Sequence, residues 1–323
     1  MASSASSAAG TRRRAAVVVN PIKKTDYDIR ALIDGICRDE GWDEPMWLET
    51  TKEDPGRGMA REALEAGVDL VIAAGGDGTV RCVAAELTGT DTPLGLLPLG
   101  TGNLLARNLD IAVDDPEGAV TAALTGTDRR IDVVHVTLDR ELKGDVFLVM
   151  AGLGYDAALM GDTNDALKDR VGWLAYVDAG VRNLPGKPVK STIRMDGGKE
   201  ISGHPRSVMG GNCGKIVGGL EIFPGARIDD GLLDIMTMAP KGRFGWFAVV
   251  AGLLRRGKGK GTSVEYYQCK EAEIFTEVPQ EFEVDGDHLG KASHVAFRVD
   301  PSALRVRMAH GKKDPAILSD PQV

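Results

Sequence analysis

The sequence predicts a mixed α/β protein, with an N-terminal parallel-sheet domain and a C-terminal, mainly antiparallel β-sandwich. Three observations carry this expectation. Short apolar runs alternate with helix-period stripes through the first part of the chain. Two glycine-rich turns, "GGDGT" and "GTGN", close successive strand-like runs there. From about Ile131 the helical stripes thin out, and short apolar runs separated by Gly, Asp and Asn turns take over. With 323 residues, the chain is long enough for two ordinary domains.

The first run, "AAVVVNP", is continuous and β-branched, as suits a strand buried on both faces. Ile29, Leu32, Ile33 and Ile36 then recur at i, i+3, i+4 and i+7, the stripe of an amphipathic helix stopped near Gly41. "MWLETT" reads as a second strand and "PGRGMAREALEAG" as a helix ending at Gly67. "VDLVIAA" is a strand followed by the first glycine turn and a helix from about Val80 to Leu87. "PLGLLPLGTGN" repeats the plan, with a helix beginning near Leu104. Ligands of such sheets sit beyond the carboxyl ends of the strands, where both glycine turns fall. The second part is read from "RIDVVHVTL", "DVFLVMAGLGYD", "VKSTIRMDG", "SVMGGNCG", "GLLDIMTM" and "AEIFTE". Helices are expected there at roughly 166–183 and 244–254. The resulting division is a disordered tail at 1–14, a first domain at 15–132 and a sandwich at 133–299. The closing segment, 300–318, holds two strand-like runs and is expected to return to the first domain.

Composition narrows the function classes. Apolar residues make up 43% and charged residues 27%, near the globular average. The net charge of −8 argues against nucleic acid as a partner. Four separated cysteines, Cys37, Cys82, Cys213 and Cys269, form neither a zinc pattern nor a disulfide framework, so a cytoplasmic setting is expected. No apolar run approaches the ~20 residues of a membrane span. "FGWFAVVAGLLRRGKGKG" joins an apolar run to a basic one. It reads either as a core helix with a solvated end or as a segment lying on the inner face of a membrane.

Glycine permits close approach of backbone N–H groups to phosphate oxygens, and the helix that follows offers its positive end. Two such turns at consecutive strand ends point to a nucleotide. Other phosphate motifs fit poorly. No GxGxxG follows the first strand, and "GLLRRGKG" has Gly259 where a P-loop needs Ser or Thr. Asp77 inside the first turn would repel a phosphate unless a cation lies between them, which suggests Mg²⁺. The alternative is that Asp77 caps the helix after it.

"VVVNP", "GGDGTV" and "LPLGTGN", in this order and spacing, resemble the diacylglycerol kinase catalytic family, which also includes sphingosine, ceramide and bacterial lipid kinases. The similarity continues through "RIDV", "AGLGYDA", "IFPGARIDDGLLDI" and "EVDGD". It implies ATP- and Mg²⁺-dependent phosphorylation of a lipid hydroxyl, most readily that of diacylglycerol, by an enzyme in peripheral contact with the membrane. Both monomer and homodimer suit the sequence.

The resemblance also implies site roles. Asn20, Pro21, Ile22, Lys23 and Lys24 match the first nucleotide loop, with Thr50 a weaker member. Gly75, Gly76, Asp77, Gly78 and Thr79 match the phosphate turn; Gly100, Thr101, Gly102 and Asn103 match its partner. Asp132 would help Asp77 hold magnesium through water, and Arg227, Asp230 and Leu232 match a structural magnesium loop. Asp285 and Asp287 fall on the signature that holds the catalytic base. If the chain is extended there, the two carboxylates point the same way. Asp287 replaces a Glu of the family, which favours Asp285 as base. Leu104 stands where many bacterial members carry Asp, leaving open a changed metal geometry, a different substrate or reduced activity. NAD kinase, which shares the "GGDGT" turn, and a non-catalytic nucleotide- or lipid-binding regulator are the competing readings.

Overall fold

The structure is a computed structural model that describes residues 13–139, 144–154, 188–216, 219, 221–240 and 263–309. The helices expected at 166–183 and 244–254, and the basic run after the second, lie outside the described residues. The fold class is the expected one. A parallel sheet of β1 (Ala15–Val19), β2 (Met46–Glu49), β3 (Leu70–Gly75) and β4 (Leu94–Pro98) is interleaved with four helices. These are α1 (Ile29–Asp39), α2 (Arg57–Glu65), α3 (Asp77–Leu87) and α4 (Leu104–Asn108). The strands lie in the order β2-β1-β3-β4.

The unbroken apolar strands are explained by burial on both faces. Ala15 and Val17 pack with Ile33 of α1, whereas Ala16 and Val18 pack with Ala60 and Ala63 of α2 and Val83 of α3. A fifth helix, α5 (Pro116–Thr125), was not expected from the sequence. Its signal is nevertheless present: Asp115 caps it by accepting the Gly118 N–H, and Pro116 opens its first turn. The α3 helix begins at Asp77, three residues earlier than expected, because the glycine turn runs straight into it.

The second part is antiparallel throughout, apart from one contact with β4. It contains β5 (Thr127–Leu138), β6 (Asp145–Phe147), β7 (Met150–Leu153), β8 (Ser191–Met195), β9 (Lys199–Gly203) and β10 (Ser207–Gly211). It continues with β11 (Leu233–Met238), β12 (Val264–Cys269), β13 (Glu271–Val284) and β14 (Asp287–Met308). Phe147, Phe282 and Phe297 form the centre of its own core. The described part of the closing segment, read as two strands, belongs to one strand with an irregularity between Asp300 and Leu304. Near its end Val306 pairs in parallel with Leu94, so β14 joins the first sheet beside β4.

Candidate active site

β3 and β4 are parallel neighbours with Gly75 opposite Pro98, so the two glycine turns leave the sheet side by side. The Leu99 N–H donates to the Gly75 carbonyl at 2.9 Å and ties them together. Their separation is so small that a Cβ on Gly100 would stand 2.7 Å from the Gly76 Cα. A Cβ on Gly75 would meet that of Thr79 at 2.6 Å. Asn103, at φ 46, closes the second turn by exchanging two hydrogen bonds with the backbone of Gly100. Arg107 Nε braces it from outside by donating to the Gly102 carbonyl at 2.8 Å, leaving Thr101 exposed at the tip.

The third loop follows β1. Because α1 and α3 pack on opposite faces of the sheet, a crevice opens between the ends of β1 and β3. Asn20 shapes this loop, its Oδ1 accepting the Ile22 N–H at 3.1 Å. Pro21, Ile22 and Lys24 are exposed. Lys23 reaches back, with its Nζ 3.9 Å from where a Cβ of Gly76 would lie. Thr50, at the end of β2, is buried, and its N–H donates to the Val19 carbonyl. An 11-residue helix whose N-cap, Gly76, carries no side-chain capping bond thus points its positive end into a crevice that also holds a lysine. These residues fit a nucleotide phosphate.

Asp77 stands between the turns. Its Oδ1 accepts the Leu104 N–H at 2.6 Å, and its Oδ2 lies 2.5 Å from where a Cβ of Gly102 would be. The carboxylate therefore meets the start of α4, rather than capping α3 from outside as the alternative reading had it. Burial raises its pKa. Backbone N–H groups of Leu104, Asn103 and Asp77 itself oppose the shift, while the Asp287 carboxylate adds to it. Leu104 contributes its backbone here and buries its side chain in the core below.

Asp285 and Gly286 have φ 47 and 88, and Val284 pairs with Asp287. This is a two-residue hairpin turn of the primed kind, for which Asp-Gly is suited. The extended chain expected here is therefore absent, and the two carboxylates diverge. Asp285 turns inward and accepts N–H groups from Leu148, Val149 and Met150 at 2.9, 3.0 and 3.0 Å. Burial raises its pKa to about 6, against the pull of those three donors and of Arg81. Asp287 turns toward α3. Its Oδ2 accepts from Arg81 at 2.7 Å and lies 2.8 Å from where a Cβ of Gly78 would stand.

The Asp132 carboxylate is fully buried and accepts the N–H groups of Gly231 and Ser302, each at 2.7 Å. Both oxygens thereby face the 228–231 loop and β14. The partner across from Asp77 is Asp287. A buried Asp77 carboxylate whose charge Asp287 disfavours, beside this crevice, fits a divalent cation between the two. In the second loop, Asp230 Oδ1 accepts the Leu232 N–H at 3.0 Å, and Arg227 contacts Asp229 at 3.4 Å. Burial, then Asp132, raise the Asp230 pKa, against the pull of the Leu232 N–H and Arg227. Among the described residues, no group of three or more His, Cys, Asp or Glu is drawn together as a metal centre.

Residues 14–136 match the family described as diacylglycerol kinase catalytic domain, and 149–308 match the YegS C-terminal NAD kinase beta sandwich-like domain. The chain belongs to the diacylglycerol kinase family of lipid kinases. It is 31% identical over 302 residues to a "probable lipid kinase YegS-like" of Pseudomonas fluorescens, covering 92% of this chain and 96% of that one. To the diacylglycerol kinase of Bacillus subtilis it is 28% identical, covering 86% and 91%. A crystal structure of a diacylglycerol kinase from Bacillus anthracis str. Sterne shares the fold, with a TM-score of 0.68 at 20% identity, covering 93% and 98%.

Two residues of this lipid kinase's site escaped the sequence reading, Arg81 and Asp145. Arg81 follows Asp77 by one helical turn, so its presence on the same face of α3 was available from spacing alone. Asp145 was not, because it lies in β6 and reaches Arg81 only through the tertiary fold. Arg57 bonds the same carboxylate and also Glu86, at 3.3 Å, which in turn meets Arg61 at 3.1 Å. A cavity of about 530 Å³ lies along this charge chain rather than at the glycine turns, lined among others by Arg57, His135, Asp145, Glu273 and Arg298.

Proposed function

We propose that this lipid kinase transfers the γ-phosphate of ATP to the hydroxyl of a lipid alcohol, diacylglycerol foremost, giving phosphatidic acid. The supporting observation is the approach of the β13–β14 turn to the head of α3, where Asp287 stands against Gly78. When bound, ATP supplies the phosphoryl group and Mg²⁺ offsets its charge. Lys23 and the N–H groups heading α3 would hold the phosphates, Asp77 and Asp287 would hold the cation, and Asp285 would take the hydroxyl's proton. A carboxylate near neutrality suits that last task. About four lone-pair directions are available on its two oxygens, and three backbone donors occupy and orient them, leaving one for substrate. Transfer of labelled γ-phosphate to a panel of diacylglycerols, sphingoid bases and NAD tests the reading. Label on NAD alone would favour the NAD-kinase alternative, which the name of the second matched domain keeps in view. The acceptor would be met at a membrane surface, with residues 244–260 as the docking segment. Loss of liposome flotation in a Trp246→Ala, Arg255→Ala, Arg256→Ala variant is the expected outcome, and unchanged flotation would exclude that segment.

A further inference from the structure

We propose that Arg81 is a positioning residue of this site, holding Asp287 against the head of α3 while Asp145 holds Arg81 from the second part of the chain. The inference rests on the phosphotransfer reading above. Arg81 is 5% exposed, and its guanidinium fork is divided between two carboxylates on different strands. One terminal nitrogen donates to Asp287 at 2.7 Å, and the other donates to Asp145. Asp145 is held in turn by Arg57 and by the N–H of Val146 at 2.8 Å. The planar guanidinium fixes direction as well as charge, which lysine's single ammonium does not.

Three facts separate this arrangement from an ordinary structural ion pair. Asp287 is half-exposed, so nothing in its burial requires a partner. Its Oδ2 lies 2.8 Å from where a Cβ of Gly78 would stand, and Arg81 is the side chain that holds it there. Arg81 Nε is buried and has no partner among the described residues, so the fork is aimed at its two carboxylates at the expense of its third donor direction. Arg81 itself lies beneath the crevice. Its effect on phosphotransfer would pass through the carboxylates that it holds.

The test compares wild type with Arg81→Gln, Arg81→Lys, Asp287→Asn and the Arg81→Gln, Asp287→Asn pair. Phosphotransfer kinetics and thermal melts are measured on each. Loss of positioning should lower kcat of Arg81→Gln by about 10²-fold while leaving the KM for ATP nearly unchanged. The double variant should be no worse than Asp287→Asn alone, and Arg81→Lys should recover part of the loss. A lower melting temperature with unchanged kcat, or losses that multiply in the double variant, would overturn the proposal. If Arg81→Gln does not fold, Asp145→Asn keeps Arg81 but frees one end of its fork; an unchanged kcat there overturns it equally. A wild type inactive on every acceptor defeats the phosphotransfer reading itself, whereas an active wild type matched by Arg81→Gln defeats this inference alone.

Discussion

The Arg81 guanidinium and the Asp287 carboxylate meet at 2.7 Å across 206 positions of sequence. That contact, with the one to Asp145, joins a helix of the parallel sheet to the β13–β14 turn. A buried cation is costly once its partner is removed, so Asp145→Ala should lower unfolding free energy by about 3 kcal/mol or more. The exposed Arg61–Glu86 pair lies in the same chain of charges, yet Arg61→Ala should cost under about 1 kcal/mol. Urea titration of both variants checks the contrast. Equal losses would mean that Asp145 is screened as well as any surface group.

Asp77→Asn should preserve the fold, because the asparagine carbonyl can still accept the Leu104 N–H. Turnover should nevertheless fall by roughly 10²–10³-fold, the usual cost of one preorganised electrostatic partner. Its dependence on Mg²⁺ should flatten as well. A magnesium titration of initial rates is the measurement, and unchanged kinetics would reduce Asp77 to a brace between the turns.

Asp285 makes two pH-dependent predictions. As the base, it should place the acid limb of kcat/KM near its own pKa of about 6, and Asp285→Asn should cost ~10²–10⁴ in rate. Asp287→Asn should lose less, and the opposite ranking would move the base to Asp287. For stability, the folded-state pKa lies above the ordinary value of 3.8. The favourable contribution is therefore complete below that ordinary value and lost as pH rises through about 6. Over that window wild type should lose stability relative to Asp285→Asn, by about 3 kcal/mol at most. Paired urea titrations from pH 4 to 7 would show the difference, and a constant gap would contradict it.

Gly100→Ala should separate the two glycine turns, because its new methyl would press on the Gly76 backbone at 2.7 Å. Backbone cannot step aside as a flexible side chain can, so nucleotide affinity should fall at least tenfold while the sandwich core stays intact. Calorimetric titration with ATP decides it.

The strands of the first sheet were legible because burial on both faces leaves unbroken apolar runs, as in "VDLVIAA". The glycine turns were legible because a 2.7 Å approach to Gly76 leaves room for nothing larger at Gly100. Helix α5 was overlooked although Asp115 and Pro116 announce it, since its stripe is mostly alanine. The opposite headings of Asp285 and Asp287 were hidden by a positive φ at Asp285, which breaks the alternation that an extended strand would keep. Arg81 carried a local signal, but its partners did not. Likewise, nothing near Asp132 in sequence reveals that Gly231 and Ser302 occupy its oxygens.

Strand β14 has a consequence for how the protein is made. Val306 lies beside Leu94, and Arg305 bonds Asp91 across 214 positions. The edge of β4 is therefore synthesised long before the strand that covers it. At translation rates of about 5–20 residues per second, that edge waits roughly ten to forty seconds. An uncovered strand edge is a template for pairing with other chains. The parallel sheet thus spends its first moments unfinished, and a chain cut short before Val306 would leave its first sheet as incomplete as its last strand.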